Sequence, residues 1–223
     1  MIIVIANSKK WFNTENLKKK LKGHKVVEIT NKKKLNPTFL KKLNCKIIFF
    51  IHWHYLVPSK ILKQFKCILF HTAPLPYGRG GSPIQNLILK GYKNVPVCAL
   101  EMVEELDAGP ILIKKYINLK GNLSQILSRV ETTITYLVQI ILYKKISPKA
   151  QLGKVVKFKR LKESENEIPS NLSLDKFYDR IRMLDDPNYP SAFIKYGNKI
   201  LYLKNAVYKK GKLLCEIEIK DQN

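Results

Sequence analysis

The sequence predicts an α/β fold: a mostly parallel sheet with helices on both faces, followed by a short β-rich extension at the C-terminus. Three observations predict it. Segments at residues 2–5, 25–30, 46–51 and 67–70 read as strands, and those at 2–5, 47–51 and 67–70 are continuously apolar, as a strand covered on both faces is, rather than alternating. The segments between them carry apolar residues at helical spacing, such as Leu17 and Leu21 four apart. A chain of 223 residues with 45% hydrophobic content is long enough to bury one substantial core and a small appended module.

Taken in order, residues 2–5 form a first strand that ends in the polar Asn7 and Ser8, and residues 14–23 form a lysine-rich helix. Residues 25–30 give a second strand, 37–43 a helix with Pro37 near its start, and 46–51 a third strand. Residues 59–65 give a third helix and 67–70 a fourth strand. A loop dense in Pro and Gly follows, and Ser82–Pro83 then reads as N-cap and first turn of a helix. Strands at 97–103 and 110–119 flank a turn at 106–109, and residues 123–142 form a long amphipathic helix. The expected domains are 1–150, carrying the chemistry, and 151–223, a mixed-charge linker and an extension with strands at 199–203 and 213–219.

No run of 18 apolar residues appears, and Met1 opens onto a strand rather than a basic lead, so a cytoplasmic protein without membrane association is expected. Cys45, Cys67, Cys98 and Cys215 form no CxxC pair and read as reduced core residues, with no metal site expected. The formal charge of +24 is carried mostly by lysine runs, such as residues 18–20 and 32–34. Solvated helix faces account for such runs, and a field that attracts anions is the competing account. The aromatic interleaving of single-strand binders is missing.

In a parallel sheet, ligands bind beyond the carboxyl ends of the strands, where this sequence places Asn7, residues 52–55 and His71. A histidine ending a central strand and an aspartate in a second tight turn make a plausible acid/base pair, here His71 and Asp107, 36 residues apart. Alone, His71 is as readily a core histidine, and Asp107 a turn residue.

The wording around both residues decides between these readings. The segment from Phe70 through His71-Thr-Ala-Pro-Leu-Pro-Tyr-Gly-Arg-Gly-Gly-Ser-Pro to Gln85 resembles the signature of the formyltetrahydrofolate-dependent formyltransferases. So does the segment from Val97 to Leu112, with its Leu106-Asp-Ala-Gly turn. The family spans methionyl-tRNA formyltransferases and sugar N-formyltransferases. The stretch Ile181-Arg-Met-Leu-Asp-Asp-Pro-Asn-Tyr-Pro is similar to the sugar branch, and the resemblance runs from about residue 46 to residue 206.

The resemblance implies a Rossmann-like formyltransferase fold, N10-formyltetrahydrofolate as formyl donor, and His71 and Asp107 as catalytic residues. The family places an Asn two residues before the His, where this chain has Leu69. His52, at the end of the adjacent strand, is the expected replacement donor, with packing against Trp53 or a place in the folate pocket as the alternatives. Asn7 and His54 are weaker candidates. Trp53 and Tyr55 are candidates to stack on a pterin or a base, Gly78, Gly80 and Gly81 to bring backbone close to a ligand, and Arg79 and Gln85 to complete the folate-binding set.

The expected acceptor is the primary amine of a nucleotide-linked amino sugar in surface-glycan biosynthesis, because the residues after Phe193 are too few for a closed barrel that would hold tRNA. An aminoacyl-tRNA acceptor is the alternative. A catalytically impaired folate- or RNA-binding homologue is a third reading, and a homodimer is left open.

Overall fold

The computed structural model describes residues 1–8 and 11–222. The elements in chain order are β1 (Ile2–Asn7), α1 (Thr14–Lys20), β2 (Lys25–Ile29), α2 (Pro37–Lys42), β3 (Cys45–Ile51), α3 (Ser59–Gln64) and β4 (Lys66–His71). They continue with β5 (Tyr77–Gly80), α4 (Pro83–Leu89), β6 (Asn94–Glu101), β7 (Ile111–Asn118), α5 (Leu123–Tyr143) and β8 (Val156–Phe158). Last come α6 (Leu174–Arg182), β9 (Ala192–Tyr196), β10 (Lys199–Lys209) and β11 (Lys212–Asp221), with short 3-10 turns at Lys32–Lys34 and Glu163–Asn166.

The main sheet has six strands in the order β2-β1-β3-β4-β6-β7. β1 runs parallel to β2 and β3, and β3 parallel to β4, whereas β6 pairs with β4 antiparallel. The sheet is therefore parallel over four strands and then reverses. Residue contacts group the chain into two units, one of residues 1–79, 96–117 and 130–157, the other of residues 80–95, 118–129 and 158–223.

In the first unit, alternate residues of the central strands enter opposite faces. Val4, Ala6, Ile48 and Phe50 join Leu40 of α2 and Ile61 of α3 in one buried cluster. Ile3, Ile5, Ile47 and Phe49 point the other way and are also buried, so both faces are covered. Each of the larger side chains among them contributes roughly 1.5–3 kcal/mol of burial free energy. Helix starts follow local chemistry: Asn13 caps α1 through the N–H groups of Glu15 and Asn16, and Asn36 caps α2 ahead of Pro37.

The second unit holds a three-stranded antiparallel sheet in the order β11-β10-β9. Its buried centre includes Ile181 and Leu184 near the end of α6, Ala192 of β9 and Leu203 of β10. Arg182 is buried in this unit, where its guanidinium bonds Asp179 at 2.7 Å and the carbonyls of Leu119 and Gly121 at 2.5 and 2.9 Å.

Two local readings change. Ser82 precedes Pro83 but has φ +47 and makes no cap bond; its Oγ accepts from the Leu161 N–H at 3.1 Å instead. The stretch expected to be a plain linker contains β8 and a 3-10 turn, and α6 and β9 follow where no element was expected.

Candidate functional site

β4 ends in His71, and the register of β3 on β4, with Phe50 opposite Leu69, carries His52 level with His71 one residue beyond β3. Asp107 belongs to the turn between β6 and β7, closed by the Ala108 N–H donating to the Glu105 carbonyl. Tertiary packing brings the two functional side chains together: His71 Nδ1 lies 3.6 Å from Asp107 Oδ2, with both side chains under one-tenth exposed.

The far side of the ring fixes its proton. His71 Nε2 is 2.8 Å from the Gly78 carbonyl, and a carbonyl can only accept, so Nε2 carries hydrogen. Nδ1 is then the ring nitrogen that faces the Asp107 carboxylate. Gly78 reaches this position with φ +92, which costs a glycine little. Asp107 adopts φ +53, a conformation that costs a non-glycine residue on the order of 1–3 kcal/mol and persists only where its surroundings hold it.

Those surroundings are visible. Gln151 Nε2 donates to the Asp107 and Gly109 carbonyls at 2.7 and 2.8 Å. Its Oε1 accepts from Arg79 Nε and Nη2 at 3.1 and 2.9 Å, while Arg79 Nη1 meets Glu105 at 2.9 Å. Arg79 thus ties the loop after His71 to the turn that carries Asp107.

A cleft of about 140 Å³ opens beside Asp107. Phe50, Trp53, Tyr55, Leu69, Leu100 and Met102 line it, and the chain from Glu101 to Gly109 forms one wall. Trp53 packs edge-on against Phe50 and Tyr55, and its Nε1–H is buried with no hydrogen-bond partner among the described residues. Leu69, two residues before His71, adds an apolar side chain to the lining.

The remaining candidates are placed as follows. His52, with φ +53, sets its ring edge-on to Trp11 at 5.2 Å and to His54 at 5.1 Å, and its carbonyl accepts from Ser8 Oγ. Because that hydroxyl hydrogen is committed, His54 Nδ1–H donates to Ser8 Oγ at 2.7 Å. The Asn7 amide donates to Phe12 and Glu28. A Cβ on Gly80 would meet the Phe158 carbonyl at 2.6 Å and one on Gly81 the Arg160 backbone at 2.5 Å, so close packing within the second unit requires both glycines. Gln85, 6% exposed, donates to the Met183 carbonyl. Sequence reasoning missed Gln151, which lies in a segment without periodicity; only its neighbour Lys149, paired with Ile111, shows why it reaches the turn.

A doubly covered α/β sheet with an imidazole–carboxylate pair at its rim, beside an aromatic-walled cleft, has the arrangement expected of a group-transfer enzyme. The profile of the formyl transferase family matches residues 1–134, and that of the methionyl-tRNA formyltransferase C-terminal domain matches residues 163–220. The chain belongs to the formyl transferase family.

A solved structure of a methionyl-tRNA formyltransferase from Clostridium thermocellum is 37% identical, superposes with a TM-score of 0.94, and covers 99% of each chain. The methionyl-tRNA formyltransferase of Rickettsia prowazekii is 28% identical over 76% of this chain and 57% of its own length. The chain therefore spans little more than half the length of that relative. A sugar N-formyltransferase from a Shewanella species shares the fold at 18% identity, TM-score 0.67, over 92% of this chain and 96% of that one.

Proposed function

We propose that this chain is an N-formyltransferase that moves a formyl group from N10-formyltetrahydrofolate to a primary amine, with residues 1–150 carrying the reaction. The observation that supports the reading most is the His71–Asp107 pair, whose aspartate belongs to the turn that walls the cleft. Two aromatic side chains that a pterin could pack against, Trp53 and Tyr55, line the cleft, and the Trp53 N–H is buried without a hydrogen-bond partner among the described residues. The folate, when bound there, supplies the formyl carbon on its N10 nitrogen.

His71 Nδ1 accepts the proton released as the amine nitrogen bonds to the formyl carbon, and Asp107 stabilises the resulting imidazolium. Nδ1 then returns the proton to the leaving nitrogen as its bond to that carbon breaks. His52 belongs to this proposal as the donor that replaces the amide at position 69, with its ring packed edge-on against Trp11 and His54.

For the acceptor, an aminoacyl-tRNA leads. The +24 charge suits a polyanion, and the relative of highest structural similarity described above carries the name of a methionyl-tRNA enzyme. A nucleotide-linked amino sugar is the second reading, supported by the Shewanella likeness in fold. Either acceptor is consistent with a cytoplasmic enzyme; no helix of the described residues is long and apolar enough to cross a membrane.

The test incubates the protein and N10-formyltetrahydrofolate with methionyl-tRNA and, separately, with a panel of nucleotide-linked amino sugars, and follows a mass gain of one formyl group. One acceptor class should be formylated, and His71→Ala should lower the rate by about 10²- to 10⁴-fold. No gain with any acceptor, together with salt-sensitive RNA retention, supports the impaired binding homologue instead.

A further inference from the structure

We propose that Gln151 is a positioning residue for the reaction centre, acting with Arg79 as a brace that sets the separation of His71 and Asp107. The inference rests on the formyl-transfer reading for its consequence, and on geometry for its mechanism.

The hydrogen bonds close a circuit. His71 Nε2–H donates to the carbonyl of Gly78 at 2.8 Å, and the next residue in the chain is Arg79. Arg79 places Nε and Nη2 on the single oxygen Gln151 Oε1. The other end of the same amide gives both its hydrogens to the turn, one to Asp107 O and one to Gly109 O. Asp107 Oδ2 then faces His71 Nδ1 at 3.6 Å, which returns to the start.

Every capacity of the amide is used in one direction: the oxygen accepts only from Arg79 and the nitrogen donates only to the turn. Neither Glu nor Leu can reproduce that polarity.

The segment carrying Gln151 is itself pinned. Ile111 and Lys149 exchange backbone bonds at 2.7 and 2.9 Å as an antiparallel bridge. Continuing that register two residues each way sets Gln151 opposite Gly109. No longer side chain is needed to reach the turn, and none but glycine fits there, because a Cβ at Gly109 would lie 1.7 Å from the Glu101 carbonyl.

The brace explains how Asp107 keeps φ +53 without a glycine. The donor on its carbonyl fixes the peptide that follows it, and so the direction of the side chain. A reacting pair displaced by about 1 Å loses on the order of 10² in rate, so a residue that touches neither substrate nor imidazole still controls turnover.

The experiment compares wild type, Gln151→Leu, Gln151→Glu and Asp107→Asn. Gln151→Glu keeps the oxygen for Arg79 and removes the donor to the turn, and so covers the case in which Gln151→Leu fails to fold. Both Gln151 variants should lower kcat about 10²-fold while KM for N10-formyltetrahydrofolate stays within about threefold. In the unliganded protein, the ¹⁵N imidazole signals of His71 should move toward those seen in Asp107→Asn.

A folded Gln151 variant with wild-type kcat and unmoved His71 signals overturns the proposal. The spectral arm needs no turnover: if wild type itself transfers no formyl group, the functional reading fails, while the His71 signals still decide whether Gln151 sets the pair.

Discussion

Leu69 and Leu100 face each other across the antiparallel pairing of β4 and β6, and both line the cleft that reaches Asp107. On its other side Leu69 is paired with Phe50 of β3. The residue two positions before His71, where the family resemblance implies an amide, is therefore embedded in an apolar stripe. Stabilisation of a developing oxyanion falls to groups other than this side chain.

That placement makes Leu69→Asn informative. The new amide enters an apolar stripe, so thermal or urea unfolding should show a loss of about 1–3 kcal/mol. In the same variant formyl transfer should become faster, by about tenfold if the amide adds one hydrogen bond worth about 1.4 kcal/mol in the transition state. A slower enzyme would mean that the apolar wall itself serves the reaction.

Gly109 allows a sharp stability contrast. A methyl group there meets the Glu101 carbonyl at 1.7 Å and cannot be relieved by a flexible side chain, whereas Gly23 has nothing within 4 Å. Gly109→Ala should cost about 3 kcal/mol, the upper end for overpacking, and should also shift Asp107 and lower kcat. Gly23→Ala, with only its φ of +83 to oppose it, should cost about 1 kcal/mol and leave turnover unchanged. Parallel denaturation curves and steady-state assays check the pair.

Alkaline stability follows from two buried thiols. Burial pushes Cys67 from the ordinary 9.0 to about 12 and Cys98 from 9.0 to about 11. Both are raised, so the fold favours the neutral thiol: the contribution is complete below pH 9 and is lost as pH rises from 9 toward 11–12, where the unfolded chain ionises and the folded one does not. The loss should be on the order of 1 kcal/mol per pH unit for each thiol. The double variant Cys67→Ala, Cys98→Ala should show a flatter stability profile above pH 9 than wild type, measured against the same lysine background.

The parts that local chemistry writes into the chain were legible in advance. The continuous apolar runs of β1, β3 and β4 mark strands covered on both faces, and Asn36 before Pro37 marks a helix start. The His71 loop and the Asp107 turn stood out because both are short, contiguous stretches of unusual composition. α6 escaped, in the tail after the expected linker, although Leu174, Phe177 and Ile181 lie at helical spacing, because charged neighbours at Asp175, Lys176, Asp179 and Arg180 break up its apolar face. β5, β8 and β9 have five residues or fewer, too short for a period to register. The antiparallel turn of β6 was equally hidden, since a strand buried on both faces reads the same in either direction.

By itself, the sequence determined the alternation of strands and helices, the buried runs, and the two stretches that carry an imidazole and a carboxylate. Only the tertiary structure decided that these two groups stand 3.6 Å apart, that the Gly78 carbonyl dictates which ring nitrogen holds hydrogen, and that Gln151 braces the turn from 44 residues away. The physical reason is range. Apolar periodicity and capping act between residues a few positions apart, whereas a hydrogen bond of 2.7 Å between distant segments exists only once strand pairing has fixed where each segment lies.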